Sequence, residues 1–217
     1  AGSGAGFGFM LTAGELLWIL TSYGVGCFTA GYYLVRLRTG QDVRSQGSGA
    51  VGARNVGRLL GPGGFLATFL LDFAKGALVV IGAGYFRLSG AAVMGSILAV
   101  VVGHTFPLQL RFRGGKGVAT SIGALVAYSP WLTGILAAVF LPVFALMRNF
   151  TLAGLLVFAL APLAALFAGW NRIEVTAMCL LAAIVLLSHR SNVREEYARL
   201  FTARAVKNTP VHKRRGP

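Results

Sequence analysis

Between His104 and Gly117 the chain places a histidine, three cations (Arg111, Arg113, Lys116) and three glycines (Gly114, Gly115, Gly117) within fourteen residues. Glycine leaves amide N–H groups approachable, and a helix beginning at Val118 would add its positive dipole end. A loop of this kind is suited to seating a phosphate. It is not a magnesium-nucleotide loop, because no glycine stands at the required position before Gly115-Lys116 and Gly117, not Ser or Thr, follows the lysine. Anchoring at a membrane surface accounts well for Arg111 and Arg113 and poorly for Lys116 among glycines. A second stretch, Gly47 to Gly52, matches G-x-G-x-x-G, but what precedes it is polar and no buried strand leads into it, so a dinucleotide fold is rejected. That stretch brings Ser48, Asn55 and Arg58, which a mere linker would not need. A third group, His189 and Asn192, lies one helical turn apart at the end of the last apolar segment.

The elements that must position these groups are membrane helices. Of 217 residues 56% are hydrophobic and 12% charged, and the mean hydropathy is +0.72. Long apolar runs recur throughout, which is the pattern of a polytopic all-α integral membrane protein. The spacing predicts seven spans: Glu15–Val35, Phe65–Phe86, Ala91–Phe106, a short one at Val118–Tyr128, Trp131–Met147, Leu152–Ala168 and Ile173–Leu187. Six remain open if the short segment is re-entrant or merges with its successor. Residues 15–192 then form a single transmembrane domain, 193–217 a basic tail drawn to anionic lipid, and 1–14 a flexible start, either a cloning remnant or a frayed end. His212 lies in that tail and carries no specific role.

The formal charge of +14 is not a nucleic-acid footprint, because the cations sit at the ends of apolar segments and no soluble basic domain carries them. With seven alternating spans, the stretch 36–64, the loops at 107–117 and Arg148, and the tail share one side. That side holds seventeen of the twenty Lys and Arg residues. The positive-inside rule makes it cytoplasmic and leaves the N-terminus outside. Asp72 and Lys75, at i, i+3 within the second span, read first as an ion pair that fixes packing, since lone charges at that depth are expensive. His104 reads equally as a packing residue or a catalytic one. Cys27 and Cys179 read as small buried hydrophobes; no metal-ligand spacing is present, and no cofactor is expected.

Taken in order, these motifs resemble the bacterial acyl-phosphate:glycerol-3-phosphate acyltransferases of the PlsY type. The resemblance rests on Gly47-Ser48-Gly49 through Asn55-Val56 and Arg58, on Leu71-Asp72 with Lys75-Gly76, and on Gly103-His104 with Phe106-Pro107. It continues through Gly114-Gly115-Lys116-Gly117-Val118-Ala119-Thr120 and ends with Ser188-His189-Arg190 and Asn192. It covers nearly the whole chain from the first span to the tail. The chain departs from the family pattern at Ala50-Val51, where Asn-Pro-like residues are usual, and at Arg54, where Thr is usual. No acid stands at the family's usual distance after Asn192.

The resemblance implies seven spans in the bacterial plasma (inner) membrane and transfer of a fatty acyl group from acyl phosphate to the 1-hydroxyl of glycerol 3-phosphate, giving lysophosphatidic acid and phosphate. It implies that Ser48, His189 and Asn192 line the reaction centre. Arg58, Gly114, Gly115, Lys116 and Gly117 would hold the headgroup, with Arg148 and Thr151 as a supporting pair and Asn55, Asp72, Lys75 and His104 behind them. An acyl phosphate is already activated, so alignment and charge stabilisation are the main demands. Either His189 or the substrate's own phosphate takes the proton. An HxxxxD acyltransferase is excluded, because Gln109 and Arg194 stand at that distance from His104 and His189. A transporter of a small organic phosphate would call for internal repeats, and none is visible. A catalytically inactive lipid-binding relative is the other alternative.

Overall fold

The computed structural model describes residues 11–191 and residue 193; Asn192, the tail from Arg194 and His212 lie outside the described residues. Within them the chain forms eight α-helices: α1 Ala13–Cys27, α2 Ala30–Thr39, α3 Ala53–Tyr85, α4 Gly90–Thr105, α5 Val118–Tyr128, α6 Pro130–Met147, α7 Phe150–Phe167 and α8 Arg172–Ser188. Four segments are long and apolar enough to cross a bilayer: α3, α4 extended to Leu110, α6 and α7. The shorter α5 is also apolar.

Helices α4 to α8 begin and end within two residues of the positions expected from hydropathy. The first expected span does not hold as one helix. It breaks at Phe28 and Thr29, both in extended backbone, into α1 and α2. The carbonyls of Gly26 and Phe28 at this break accept hydrogen bonds from Lys75 Nζ, at 3.3 and 2.7 Å. That tertiary partner makes an interrupted helix tolerable at membrane depth, and hydropathy is blind to it. The second expected span begins earlier than Phe65. Helix α3 starts at Ala53, kinks at Gly61 (φ 73°) just before Pro62, and so carries Asn55 and Arg58 on its first turns.

Side-chain caps fix most helix starts. Thr12 and Glu15 form a capping box on α1, Asn171 and Glu174 another on α8, and Ser89, Ser129 and Asn149 cap α4, α6 and α7. Glu15 also accepts the Ser89 amide at 2.9 Å, pinning the start of α1 to the α3–α4 corner. Two seams hold the bundle. Helix α1 lies against α4 where Gly26 faces Val100 and Gly103 faces Tyr23; α3 lies against α5 where Gly76 faces Thr120 and Gly123 faces Phe73. Any Cβ at these four positions would collide with the neighbouring backbone, which is how small residues allow close helix approach in a membrane. Helix α6 is peripheral, with only Leu132 and Leu136 buried. The cysteines differ from expectation: Cys27 is half-buried and Cys179 exposed on α8, because an apolar helix in a bilayer needs no protein cover over its lipid-facing side.

Candidate active site

The loop after α2 is built around Asn55, whose side chain is buried in the first turn of α3. Its Oδ1 accepts the Ser48 amide at 3.0 Å. Its Nδ2 donates to the carbonyls of Gln46 and Ala50 at 3.0 Å and of Val43 at 3.3 Å. Gly47 and Gly49 both lie at positive φ, and a Cβ on Gly47 would collide with Asn55 Oδ1. The result is a tight turn that holds Ser48 exposed at its tip. The Ser48 hydroxyl has no hydrogen-bond partner among the described residues. Asn55 is therefore the strut of the loop, where its amide would otherwise read as a substrate ligand.

Arg44, which sequence reasoning left without a role, ties this loop to the next. It donates from Nη1 to the Leu110 carbonyl at 2.8 Å, pairs with Asp42 at 2.7 Å and stacks 5.3 Å over Tyr32. The Asp42 side-chain hydrogen bond with Arg44 holds the Asp42 carboxyl below its usual range, while partial burial opposes this. A small apolar cluster of Val35, Val43, Val51, Val56 and Leu110 sits beneath the same junction. Arg58, exposed on α3, stands one turn after Arg54. Like charges at i, i+4 repel by a few tenths of a kcal/mol, so the pair gains from an anion between them. Arg54 Nη1 also donates to Thr151 Oγ1 at 2.5 Å, linking the start of α3 to the first turn of α7. Thr151 is thus bonded to Arg54 and not to Arg148, its expected companion; Arg148 is the exposed, left-handed C-cap of α6.

The loop at 107–117 is folded more tightly than an open phosphate cradle. The Gly114 amide donates to the Thr105 carbonyl at 3.1 Å and the Gly115 amide to the His104 carbonyl at 2.9 Å. Those two N–H groups are spent on the end of α4, which corrects the expectation that they stay open to a ligand. A Cβ on Gly114 would strike the His104 carbonyl, and one on Gly115 would strike the His104 ring. The glycines are needed for this close folding. Helix α5 starts at Val118 on a left-handed Gly117 and, alone among the bundle helices from α4 to α8, has no side-chain cap. Its first amides and positive dipole end remain for an anion, and half-buried Lys116 stands directly before them.

His189 closes the site from the end of α8. It is buried, and its Nδ1 lies 2.8 Å from the Val185 carbonyl. A carbonyl only accepts, so Nδ1 carries the proton and Nε2 keeps its lone pair. Burial, and then the charge of Lys116, push the imidazole below its ordinary pKa, against the Val185 carbonyl, which raises it. The charge of Lys116 thus reaches His189. Whether Asn192 joins them lies outside the described residues. Asp72, Lys75 and His104 form one buried cluster under Gly115: Lys75 Nζ is 2.8 Å from Asp72 Oδ1 and 2.8 Å from His104 Nδ1. Among the described residues no group of His, Cys, Asp and Glu is arranged to hold a metal ion.

Cationic, glycine-built loops at one end of a helical membrane bundle are suited to an anionic ligand. The glycerol-3-phosphate acyltransferase family model matches residues 16–199. A glycerol-3-phosphate acyltransferase 1 from Desulfitobacterium hafniense is 45% identical over 181 residues, covering 83% of this chain and 90% of the relative. One from Bacillus cereus is 35% identical, covering 84% and 98%. The crystal structure of PlsY, an integral membrane glycerol 3-phosphate acyltransferase, in its glycerol 3-phosphate form superposes with a TM-score of 0.78 at 33% identity, covering 88% of this chain and 94% of that one. Its lysophosphatidic acid form gives 0.75 at 32% identity. The chain belongs to the glycerol-3-phosphate acyltransferase family.

Proposed function

We propose that this protein transfers a fatty acyl group from acyl phosphate to the 1-hydroxyl of glycerol 3-phosphate, releasing lysophosphatidic acid and inorganic phosphate. The observation that carries the reading is Lys116 set before the uncapped start of α5, together with a buried His189 whose Nδ1 is held by the Val185 carbonyl and whose Nε2 has no partner among the described residues. Solved relatives with glycerol 3-phosphate and with lysophosphatidic acid support the acceptor and the product. Acyl phosphate as the donor rests on the family resemblance, and a second phosphate suits the cations of the site.

In this reading the α5 N-terminus, Lys116 and Arg58 hold the phosphate of glycerol 3-phosphate, with Arg54 beside Arg58. The 1-hydroxyl oxygen attacks the acyl carbonyl carbon as its proton passes to His189 Nε2. The bond from that carbon to the phosphate oxygen breaks, and phosphate leaves as a good leaving group. Ser48, held at its loop tip by Asn55, donates its hydroxyl to the reacting groups. His189 then returns its proton to the departing phosphate.

The unit responsible is 15–192, with seven crossings, α1 and the start of α2 together making the first. The cationic loops, and with them the active site, face the cytoplasm, and the N-terminus lies outside. The crowding of cations at one end supports this orientation. The test is a donor comparison with purified protein in lipid nanodiscs. Palmitoyl phosphate and labelled glycerol 3-phosphate should give lysophosphatidic acid, and palmitoyl-coenzyme A should not. Equal product from both donors would overturn the acyl-phosphate assignment.

A further inference from the structure

Lys75 lies in the second half of α3, buried, with four acceptors around one ammonium: Phe28 O at 2.7 Å, Asp72 Oδ1 and His104 Nδ1 at 2.8 Å, and Gly26 O at 3.3 Å. Three protons meet the three short partners. His104 Nδ1 must then accept, because a proton there would face the ammonium donor to donor. Asp72 Oδ1, at 3.5 Å from Nδ1, is too far to receive it instead. The imidazole is consequently neutral, with its proton on Nε2, and the cluster carries one positive and one negative charge at membrane depth. That is the arrangement a low-dielectric interior favours.

The other edge of the same ring is what the phosphate loop rests on. His104 Nε2 is the nearest atom to where a Cβ of Gly115 would stand, with His104 Cε1 and Cδ2 next. The His104 carbonyl meanwhile receives the Gly115 amide. Ring and backbone of one residue thus fix Gly115 from two directions, and Lys116 follows it directly. On its far side Lys75 takes the carbonyls freed where α1 breaks. One ammonium therefore joins the helix break to the loop that presents Lys116.

We infer that Lys75 is a positioning residue for substrate phosphate: by holding His104 in one tautomer and one ring orientation, it sets Gly115 and so places Lys116. This rests on the function proposed above. Removing only one member would leave the other charge buried, so the test variant is Asp72→Asn with Lys75→Met, which removes both charges together. In nanodiscs, and with a melting temperature high enough for assay, its KM for glycerol 3-phosphate should rise about tenfold. Its KM for acyl phosphate and its kcat should stay within about threefold of the parent, since binding through Lys116 is what is displaced. A merely structural role would lower the active fraction and leave that KM alone.

A second measurement reads the ring contact itself. Gly115→Ala should be severe in the parent and much milder when combined with His104→Ala, which clears the space the new methyl needs. An unchanged KM for glycerol 3-phosphate in the charge-free variant, with the parent active, overturns the inference. So does a Gly115→Ala penalty that is the same in both backgrounds. If the parent forms no lysophosphatidic acid, the functional reading fails separately. The melting temperatures of the parent, the two single variants and the double variant still decide the contact, because the Gly115→Ala penalty must shrink when His104 is alanine.

Discussion

Replacing Asn55 by alanine removes the strut of the Ser48 loop without touching substrate. The side chain is 2% exposed, accepts one amide hydrogen bond and shares its two N–H protons among three carbonyls. Counted by protons, three bonds are lost, each with a net value of about 0.5–1.5 kcal/mol, so the loop is destabilised by about 1.5–4.5 kcal/mol. That is enough to let Ser48 leave its tip position for much of the time, and a displacement of about 1 Å at a reacting group costs on the order of a hundredfold in rate. The assay is lysophosphatidic acid formation at saturating substrates, alongside size-exclusion and melting measurements in the same nanodiscs. The expected result is a kcat loss of about a hundredfold in protein that still elutes as folded. Asn55→Asp keeps the acceptor for the Ser48 amide and loses the donated bonds, so it should also fail, though it presents an oxygen at the same place. A kcat for Asn55→Ala within about twofold of the parent, with an unchanged melting temperature, would refute the strut assignment.

Lys116→Ala should raise the KM for glycerol 3-phosphate well above tenfold, read from initial rates, because it removes the cation at the α5 start. The same substitution removes one of the two influences that depress His189, so its pKa should move back up and the acid limb of the kcat profile should shift to higher pH. An acid limb unmoved by loss of Lys116 would separate the two residues. Asp42 is held below its unfolded value, so its pairing with Arg44 contributes in full above about pH 4, the ordinary carboxylate pKa, and is lost as pH falls through the depressed one. Because that pair is partly exposed, Asp42→Asn should lower stability at neutral pH by about 1 kcal/mol or less, read from denaturant midpoints. Arg54→Ala and Thr151→Ala break the same hydrogen bond, so the double variant should be no less stable than the worse single one.

Much of the bundle was legible because an apolar run of bilayer length leaves little choice but helix. Hence α6, expected at Trp131–Met147, was found to within one residue. The break at Phe28 and Thr29 was not legible, because it depends on Lys75 reaching back from α3, a long-range bond that leaves no local mark. The backward extension of α3 was hidden by Gly61-Pro62, which reads locally as a stop and is in fact a kink. At the candidate site, residue types singled out loops that the fold joins through Arg44, while the contacts within them needed coordinates. Asn55 and Ser48 look alike as polar donors, yet one is buried under the loop and the other exposed at its tip. Gly114 and Gly115 suggested open amides, and their amides proved to be bonded to the end of α4. Arg44 gave one local signal, Asp42 two residues earlier, but its bond to the Leu110 carbonyl crosses between loops and was not deducible. Asp72 and Lys75 were legible as a pair from helical spacing, and only the fold adds His104 as the third member.

The most direct test of acyl-phosphate-dependent transfer is a balance of products. Nanodisc protein given palmitoyl phosphate and excess glycerol 3-phosphate should release inorganic phosphate and lysophosphatidic acid in a one-to-one ratio, with phosphate release falling to the blank when glycerol 3-phosphate is left out. Phosphate released without lysophosphatidic acid, or no lysophosphatidic acid above the protein-free blank, would contradict it.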